Sequence, residues 1–320
     1  MMTTAQHFSN DPADARRMFL AACLDARLSV ASFEAPRDEH AEYPVHIDVA
    51  RAGRADAETS IILCPGSRMA EGLCTSGIQT SALRTGMQTE LPDSAALVLV
   101  HMALPSAFKA DVWEGSTESS AETKEWDDAL LAAAEFRFNE DRSKKDIETI
   151  EDNVLQKWCR HVLDNVAQRF LSSSRHIVLI DVRTGSGPYA EAEVVSCHLP
   201  GSEDEARASE MFGARGMVNG NAIANLQGPV ARGLATALPD RQTTAVVMEF
   251  GCYSLTTVLD SLLSRYESEV AGTGRFGGLF YPDAADWRER VWGGAAEILR
   301  LGFRFIDQAG STASPNKRHI

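Results

Sequence analysis

The chain has 320 residues, of which 44% are hydrophobic, and its 45 acidic residues outnumber its 31 lysines and arginines to give a formal charge of −14. This length and composition are typical of a globular protein of one or two domains with a full-sized core. The acidic charge disfavours nucleic acid as a partner, because carboxylates repel a phosphate backbone.

The sequence also disfavours a membrane partner. No apolar run reaches the roughly 18 residues that span a bilayer. The N-terminal segment lacks the apolar core of a signal peptide. We therefore predict a cytoplasmic location.

The first half of the chain predicts an opening helix followed by a β-α-β unit. Asp11 precedes Pro12 as a capping residue and predicts a helix that continues to about Leu28. Apolar runs and turn residues then predict, in chain order, a strand at 46–52, a strand at 60–64 that stops at Pro65-Gly66, a helix at 71–87 and a buried strand at 95–103.

The second half continues the alternation of strands and helices. Residues 109–150 are charged and polar, which indicates an irregular excursion with one short helix. The pattern then predicts, in chain order, a helix at 153–171, strands at 176–181 and 244–250, a helix at 255–270 and an amphipathic helix at 284–306. This alternation predicts an α/β fold with a mixed, mostly parallel sheet flanked by helices on both faces. We interpret residues 1–308 as one domain and residues 309–320 as a polar tail.

The cysteines give no sign of a disulfide scaffold or a zinc ribbon. None of them forms a C-x-x-C pair, so we expect reduced thiols. The six are Cys23, Cys64, Cys74, Cys159, Cys197 and Cys252.

Three predicted strand ends carry the residues that point to chemistry, because ligands of such sheets bind beyond the carboxyl ends of the strands. They read CPGSRMAEG at 64–72, DVRTGSGPY at 181–189 and MEFG at 248–251. With these motifs the sequence resembles the zinc carboxypeptidase clan, and within it a bacterial branch catalogued as domain of unknown function 2817. Further matching segments are SGIQ at 76–79, VLVH at 98–101, FYP at 280–282 and Trp287.

The resemblance implies a zinc site whose ligands this chain does not retain. In the family a His-x-x-Glu pair and a later histidine hold zinc, and a separate glutamate is the general base. At the matching positions this chain has Arg68 for the first histidine, Glu71 for the glutamate ligand, Arg183 for the second histidine and Glu249 for the general base. Arginine has no lone pair to offer and stays protonated, so it cannot bind zinc. We therefore expect no zinc and no other cofactor.

The family's Asn-Arg pair, which resembles a clamp for a substrate carboxylate, is also missing. An ungapped continuation from the strand at 95–103 places Glu122 and Thr123 where the pair is expected. Arg137 substitutes only after an insertion of about a dozen residues. The resemblance therefore implies that the clamp is lost.

The two arginines provide a replacement for the charge of the metal. Zinc with two neutral imidazoles and one carboxylate has the same net charge as two guanidinium groups with one carboxylate. We hypothesise that Arg68 and Arg183 pair with Glu71 and Glu249 through charge-assisted hydrogen bonds. An unpaired buried carboxylate is otherwise costly.

Each of these residues also has a purely structural interpretation. The helix dipole favours a carboxylate such as Glu71 in a first turn. Arg68 and Arg183 are then loop arginines at the surface. The segment Gly185-x-Gly187-x-x-Ala190 imitates a dinucleotide fingerprint, but a strand is predicted after it where the fingerprint needs a helix.

A relocated metal site is a separate alternative. His101, Cys197 and His198 are the residues that would build it. A histidine inside a buried strand is more commonly a core residue, and Cys197 and His198 are adjacent, so they face opposite ways on a strand.

Three functions follow from these residues and the resemblance. The first is a carboxypeptidase-fold pseudo-peptidase with a degenerate zinc site, which binds a small anionic or peptide-like ligand. The second is an active peptidase or amidohydrolase, with a relocated metal or without one, in which Glu249 is the general base and the arginines stabilise an oxyanion. The third is a structural or interaction subunit in which the cluster is only a buried salt-bridge network.

Overall fold

The computed structural model describes residues 3–36, 45–66, 69–101, 148–213, 217–218, 233–235, 237–254, 256–257 and 280–312. Within this part of the chain, eight strands form one sheet that lies between layers of helices, which confirms the predicted mixed α/β fold. Residues 109–147 of the predicted excursion and most of the predicted helix at 255–270 lie outside the described residues. The domain bounds stay a prediction.

The strands are numbered in chain order. They are β1 Val30–Glu34, β2 His46–Gly53, β3 Thr59–Pro65, β4 Ala95–His101, β5 His176–Ser186, β6 Ala192–Ser196, β7 Met217–Val218 and β8 Gln242–Tyr253. The helices of the described residues are α1 Pro12–Asp25, α2 Met69–Arg84, α3 Glu148–Phe170, α4 Glu203–Phe212 and α5 Ala285–Thr312. Short 3₁₀ turns cover Thr4–His7 and Met87–Glu90.

The strand order in the sheet is β1-β2-β4-β3-β5-β8-β6-β7. The four central strands, β4, β3, β5 and β8, are parallel to one another. On their two sides β2 and β6 run antiparallel to the neighbouring central strand. The carboxyl ends of β3, β5 and β8 therefore meet at one edge of the sheet.

The central strands are buried on both faces, as expected for parallel strands covered by helices. Every residue of β3 and β4 is buried. Side chains alternate between two cores: Ile61 and Leu63 join the core beneath α1, α2, α4 and α5, and Ile62 and Cys64 join the core beneath α3. This period of two matches the pleat of a strand.

Several predicted features are confirmed in detail. The Asp11 side chain accepts a hydrogen bond of 2.8 Å from the Asp14 backbone N–H and caps α1, with Pro12 at its first position. In the predicted amphipathic helix at 284–306, Trp287 and Ile298 of the apolar face are fully buried in the first core. All six cysteines are free and buried. Among the described helices, none has both the length and the apolar character to cross a membrane.

The structure adds elements that the periodicity did not predict. Strand β1 is a short edge strand with half-exposed positions, so its apolar pattern is weak. Helix α4 carries three acidic residues in its first turn. Ser202 caps its start by accepting a hydrogen bond of 3.1 Å from the Glu205 backbone N–H. The signal in the sequence is a serine followed three residues later by a glutamate. Helix α5 also continues beyond the predicted end at residue 306, to Thr312.

Candidate functional site

The sheet edge where β3, β5 and β8 end brings three of the four predicted site residues together. Arg183 of β5 and Glu249 of β8 are register partners on neighbouring parallel strands, so their side chains leave the same face of the sheet. Glu71 lies in the first turn of α2, which follows β3 directly. A backbone hydrogen bond of 2.9 Å from Gly66 N–H to the Val182 carbonyl joins the ends of β3 and β5.

Arg183 forms an ion pair within its own strand. Its Nη2 donates a hydrogen bond of 3.3 Å to Oδ2 of Asp181, two residues earlier. The side chain of Asp181 is 1% exposed and that of Arg183 is 21% exposed. Both continue the alternate positions of Ile177 and Leu179, so they point to the face of the sheet that α3 covers.

Three carboxylates act on this guanidinium electrostatically. Burial lowers the pKa of Arg183, but attraction by the carboxylates of Asp181, Glu71 and Glu249 outweighs it, and the pKa lies above its ordinary value. Arg183 is therefore a permanent cation that is stabilised by its surroundings.

Each glutamate of the site packs against a glycine of a strand end. Glu71 is 2% exposed, and a Cβ on Gly66 would overlap its Oε2 and lie 2.7 Å from its Cδ. Glu249 is half-buried, and a Cβ on Gly185 would overlap its Oε1 and lie 3.1 Å from its Cδ. The absence of a side chain at both glycines makes room for the carboxylates.

The structure therefore places Glu71, Arg183 and Glu249 in one cluster and adds Asp181. Arg68 lies outside the described residues, so its pairing stays a prediction. The proposed clamp positions Glu122, Thr123 and Arg137 also lie outside them. Sequence reasoning assigned no role to Asp181, although its position two residues before Arg183 on a strand is a signal that both side chains share a face.

Zinc does not fit the donors at the positions where the resemblance expects its ligands. Glu71 offers carboxylate oxygens, but the guanidinium of Arg183 offers only N–H donors and a positive charge. Among the residues that the structure describes, no group of three or more His, Cys, Asp or Glu side chains is arranged to hold a metal ion.

The three residues of the alternative, relocated metal site are far apart. His101 ends β4, and Cys197 and His198 follow β6. Strands β3, β5 and β8 lie between β4 and β6. Four steps of about 4.8 Å give a separation of about 19 Å, so these residues cannot share one metal ion.

His101 is instead part of the core. Its Nε2 lies 2.9 Å from Oγ of Ser76, and its ring stacks on Phe19 with 4.4 Å between ring centroids. Burial lowers its pKa to about 4. The His198 Nε2 accepts a hydrogen bond of 2.8 Å from the Ala245 backbone N–H, which extends the pairing of β8.

The dinucleotide-like glycines at the end of β5, Gly185 and Gly187, are followed by β6 rather than by a helix. A phosphate-binding helix N-terminus is therefore missing at this place, as the sequence predicted.

The sequence matches the family described as "Protein of unknown function (DUF2817)" over residues 8–110 and 154–293. No curated protein matches it. Among solved structures, the chain is similar to the LapA aminopeptidase of Legionella pneumophila, with 9% identity and a TM-score of 0.42, covering 95% of this chain and 68% of that one.

Two glutaminyl cyclases are also similar. That of Porphyromonas gingivalis has 11% identity and a TM-score of 0.43, covering 93% of this chain and 99% of that one. That of Tannerella forsythia has 11% identity and a TM-score of 0.44, covering 91% and 89%.

Proposed function

Because this chain belongs to the DUF2817 family and has arginine where the resemblance expects zinc-binding histidine, we propose that it is a pseudo-peptidase that binds a small anionic or peptide-like ligand without a metal. The observation that carries this proposal is the position of Arg183 at the shared end of the central strands, paired with Asp181 and attracted by Glu71 and Glu249. A guanidinium cannot lower the pKa of a bound water as a zinc ion does. It can hold a ligand by directed hydrogen bonds.

The charges of the cluster favour the peptide-like ligand over a simple anion. Three carboxylates face one described guanidinium, and even with Arg68 the carboxylates outnumber the guanidinium groups. Glu193 of β6 is an exposed register partner of Glu249 and adds a further negative charge. A ligand with both an amine and a carboxylate, such as an amino acid or a short peptide, matches such a mixed site better than an anion alone.

Elemental analysis of the purified protein tests the metal-free part of the proposal. We expect protein expressed in metal-supplemented medium and then purified to contain well below one zinc or other transition-metal ion per chain. Stoichiometric zinc that is lost on replacement of Glu71 by Gln would contradict the proposal and return the chain to the metal-dependent peptidases.

A thermal-shift series tests the ligand. The probes are free amino acids, dipeptides, N-acyl amino acids, simple carboxylates and simple amines. A probe present at a hundred times its Kd stabilises the fold by about 2.7 kcal/mol. We expect dipeptides or amino acids to raise the melting temperature, and Arg183→Gln to remove that effect while Arg160→Gln, an exposed change on α3, retains it. No shift with any probe favours the interaction-subunit function.

Metal-independent amide hydrolysis is the second candidate, because Glu249 is only half-buried and faces the same side as Arg183. Its carboxylate would act as general base and the guanidinium would stabilise an oxyanion. Turnover of an N-acyl amino acid that Glu249→Gln abolishes would favour this function over binding alone.

A further inference from the structure

The contact between Gly185 and Glu249 is the feature of the site that the proposed function does not use. Glu249 has Arg183 as its register partner, whereas Gly185 has Gly251. The carboxylate nevertheless lies against Gly185, so the Glu249 side chain leans along the strand direction toward the end of β5.

Gly185 is required there by space and not by backbone conformation. Among the described glycines, positive φ angles occur at Gly53, Gly86 and Gly201, and Gly185 is not one of them. Alanine therefore suits its backbone. A Cβ would overlap Oε1 of Glu249 and would lie 3.1 Å from Cδ and 3.7 Å from Cγ, so the whole end of the glutamate would have to move.

We propose that Gly185 is a positioning residue, which holds the Glu249 carboxylate where it attracts the guanidinium of Arg183. The inference rests on the proposed function only in treating this cluster as the ligand site. A side chain at position 185 displaces the carboxylate, and Arg183 then loses one of the three negative charges that stabilise it. Gly66 stands against Glu71 in the same way. A Cβ on Gly66 would also lie 3.3 Å from the backbone oxygen of Val182, whereas the three nearest atoms at Gly185 all belong to Glu249, so Gly185 gives the cleaner test.

The test combines Gly185→Ala, Glu249→Asp and the double variant, with Gly293→Ala as the matched control. Gly293 lies on the exposed side of α5, and a Cβ there meets nothing within 4 Å. We expect Gly185→Ala to lower the melting temperature by about 3–6 °C through overpacking. The control should leave the melting temperature unchanged or raise it, because alanine favours a helix.

Shortening the glutamate distinguishes positioning from general disruption. Aspartate is one methylene shorter, so in the Gly185→Ala background Glu249→Asp should recover at least half of the lost melting temperature. In the wild-type background the same change should lower it. The Nε–Hε NMR signal of Arg183, assigned with Arg183→Lys, should move in Gly185→Ala and return toward the wild-type position in the double variant.

Two results would overturn the inference: an unchanged Arg183 signal in Gly185→Ala, or a loss of stability that Glu249→Asp does not relieve. If Gly185→Ala does not fold, the same change is made in a protein that also carries Glu249→Ala, which removes the clashing side chain. That double variant should fold, and its failure to fold would overturn the inference. None of these readouts uses a ligand. Failure of the proposed function would instead appear as wild-type protein that binds none of the probes.

Discussion

Arg183 is the residue on which the electrostatics of the site depend. Its guanidinium pairs with the buried carboxylate of Asp181 and is attracted by Glu71 and Glu249. A buried carboxylate that loses its cation is strongly destabilised, whereas an exposed pair contributes little. The ion pair therefore couples the site to the stability of the central strands.

Reversal of the charge at this position tests that coupling. We expect Arg183→Glu to lower the free energy of unfolding by about 3–5 kcal/mol, because it removes the cation and adds a fourth carboxylate. Urea titration followed by circular dichroism measures the change. Arg160→Glu, on the exposed side of α3, is the control and should change the free energy by less than about 0.5 kcal/mol. A wild-type denaturation midpoint for Arg183→Glu would rule out the pairing.

His101 gives the protein a pH-dependent stability. Burial lowers its pKa to about 4 from an ordinary 6.5, and Asp48 and Arg16 are the charged groups that act on it most. The pKa of His101 is lower in the folded chain than in the unfolded chain. Between about pH 6.5 and 4, the unfolded chain therefore binds a proton at this histidine that the folded chain does not bind. The stability that this pKa difference contributes to the folded protein is fully present above pH 6.5 and is lost as the pH falls toward 4.

We expect the free energy of unfolding to fall by up to about 3 kcal/mol over this range on account of His101. Urea titrations at pH 7.5, 5.5 and 4.5 measure it. A His101→Gln variant should be less stable at pH 7.5 but should lose less on acidification. Equal slopes for the two proteins would show that other groups cause the acid sensitivity.

At the scale of an element, helix α1 ends in a conformation that its sequence does not favour. Arg27 has φ of 58° and follows the C-cap residue Ala26. The Leu28 N–H donates to the Cys23 carbonyl at 2.9 Å and the Arg27 N–H to the Leu24 carbonyl at 3.0 Å, which is the Schellman pattern. Glycine is the usual residue at this left-handed position, because it has no Cβ.

Arg27→Gly should therefore stabilise the protein by about 0.5–1 kcal/mol. Arg27 is exposed, so the change removes little packing. Arg17→Gly, an exposed site inside the same helix, should destabilise by about 1 kcal/mol and serves as the control. Thermal unfolding of the two variants checks the opposite signs, and destabilisation by both would mean that the strain is absent.

At the scale of the whole molecule, the last helix connects the N-terminal turn to the strand that carries Glu249. The Trp287 indole donates a hydrogen bond of 3.0 Å to the Gly251 carbonyl, two residues after Glu249. The Tyr281 hydroxyl, just before α5, donates one of 3.0 Å to the Ser9 carbonyl. The segment at 281–287 thus bonds both to β8, near Glu249, and to the N-terminal segment before α1.

The amino-acid sequence alone determined the class of the fold and most of its central elements. Continuous apolar runs, a proline after an aspartate and glycines after strands are local signals, because side-chain periodicity and backbone freedom act over a few residues. The resemblance in three strand ends identified Glu71, Arg183 and Glu249 without knowledge of strand order.

Only the tertiary structure decided how those residues meet. Strand order follows from the packing of distant segments. It separates His101 from Cys197, and it makes Arg183 and Glu249 register partners on neighbouring strands. The contact of Glu249 with Gly185 depends on where a side chain leans across two strands. Such contacts join residues far apart in the chain, and local periodicity carries no information about them.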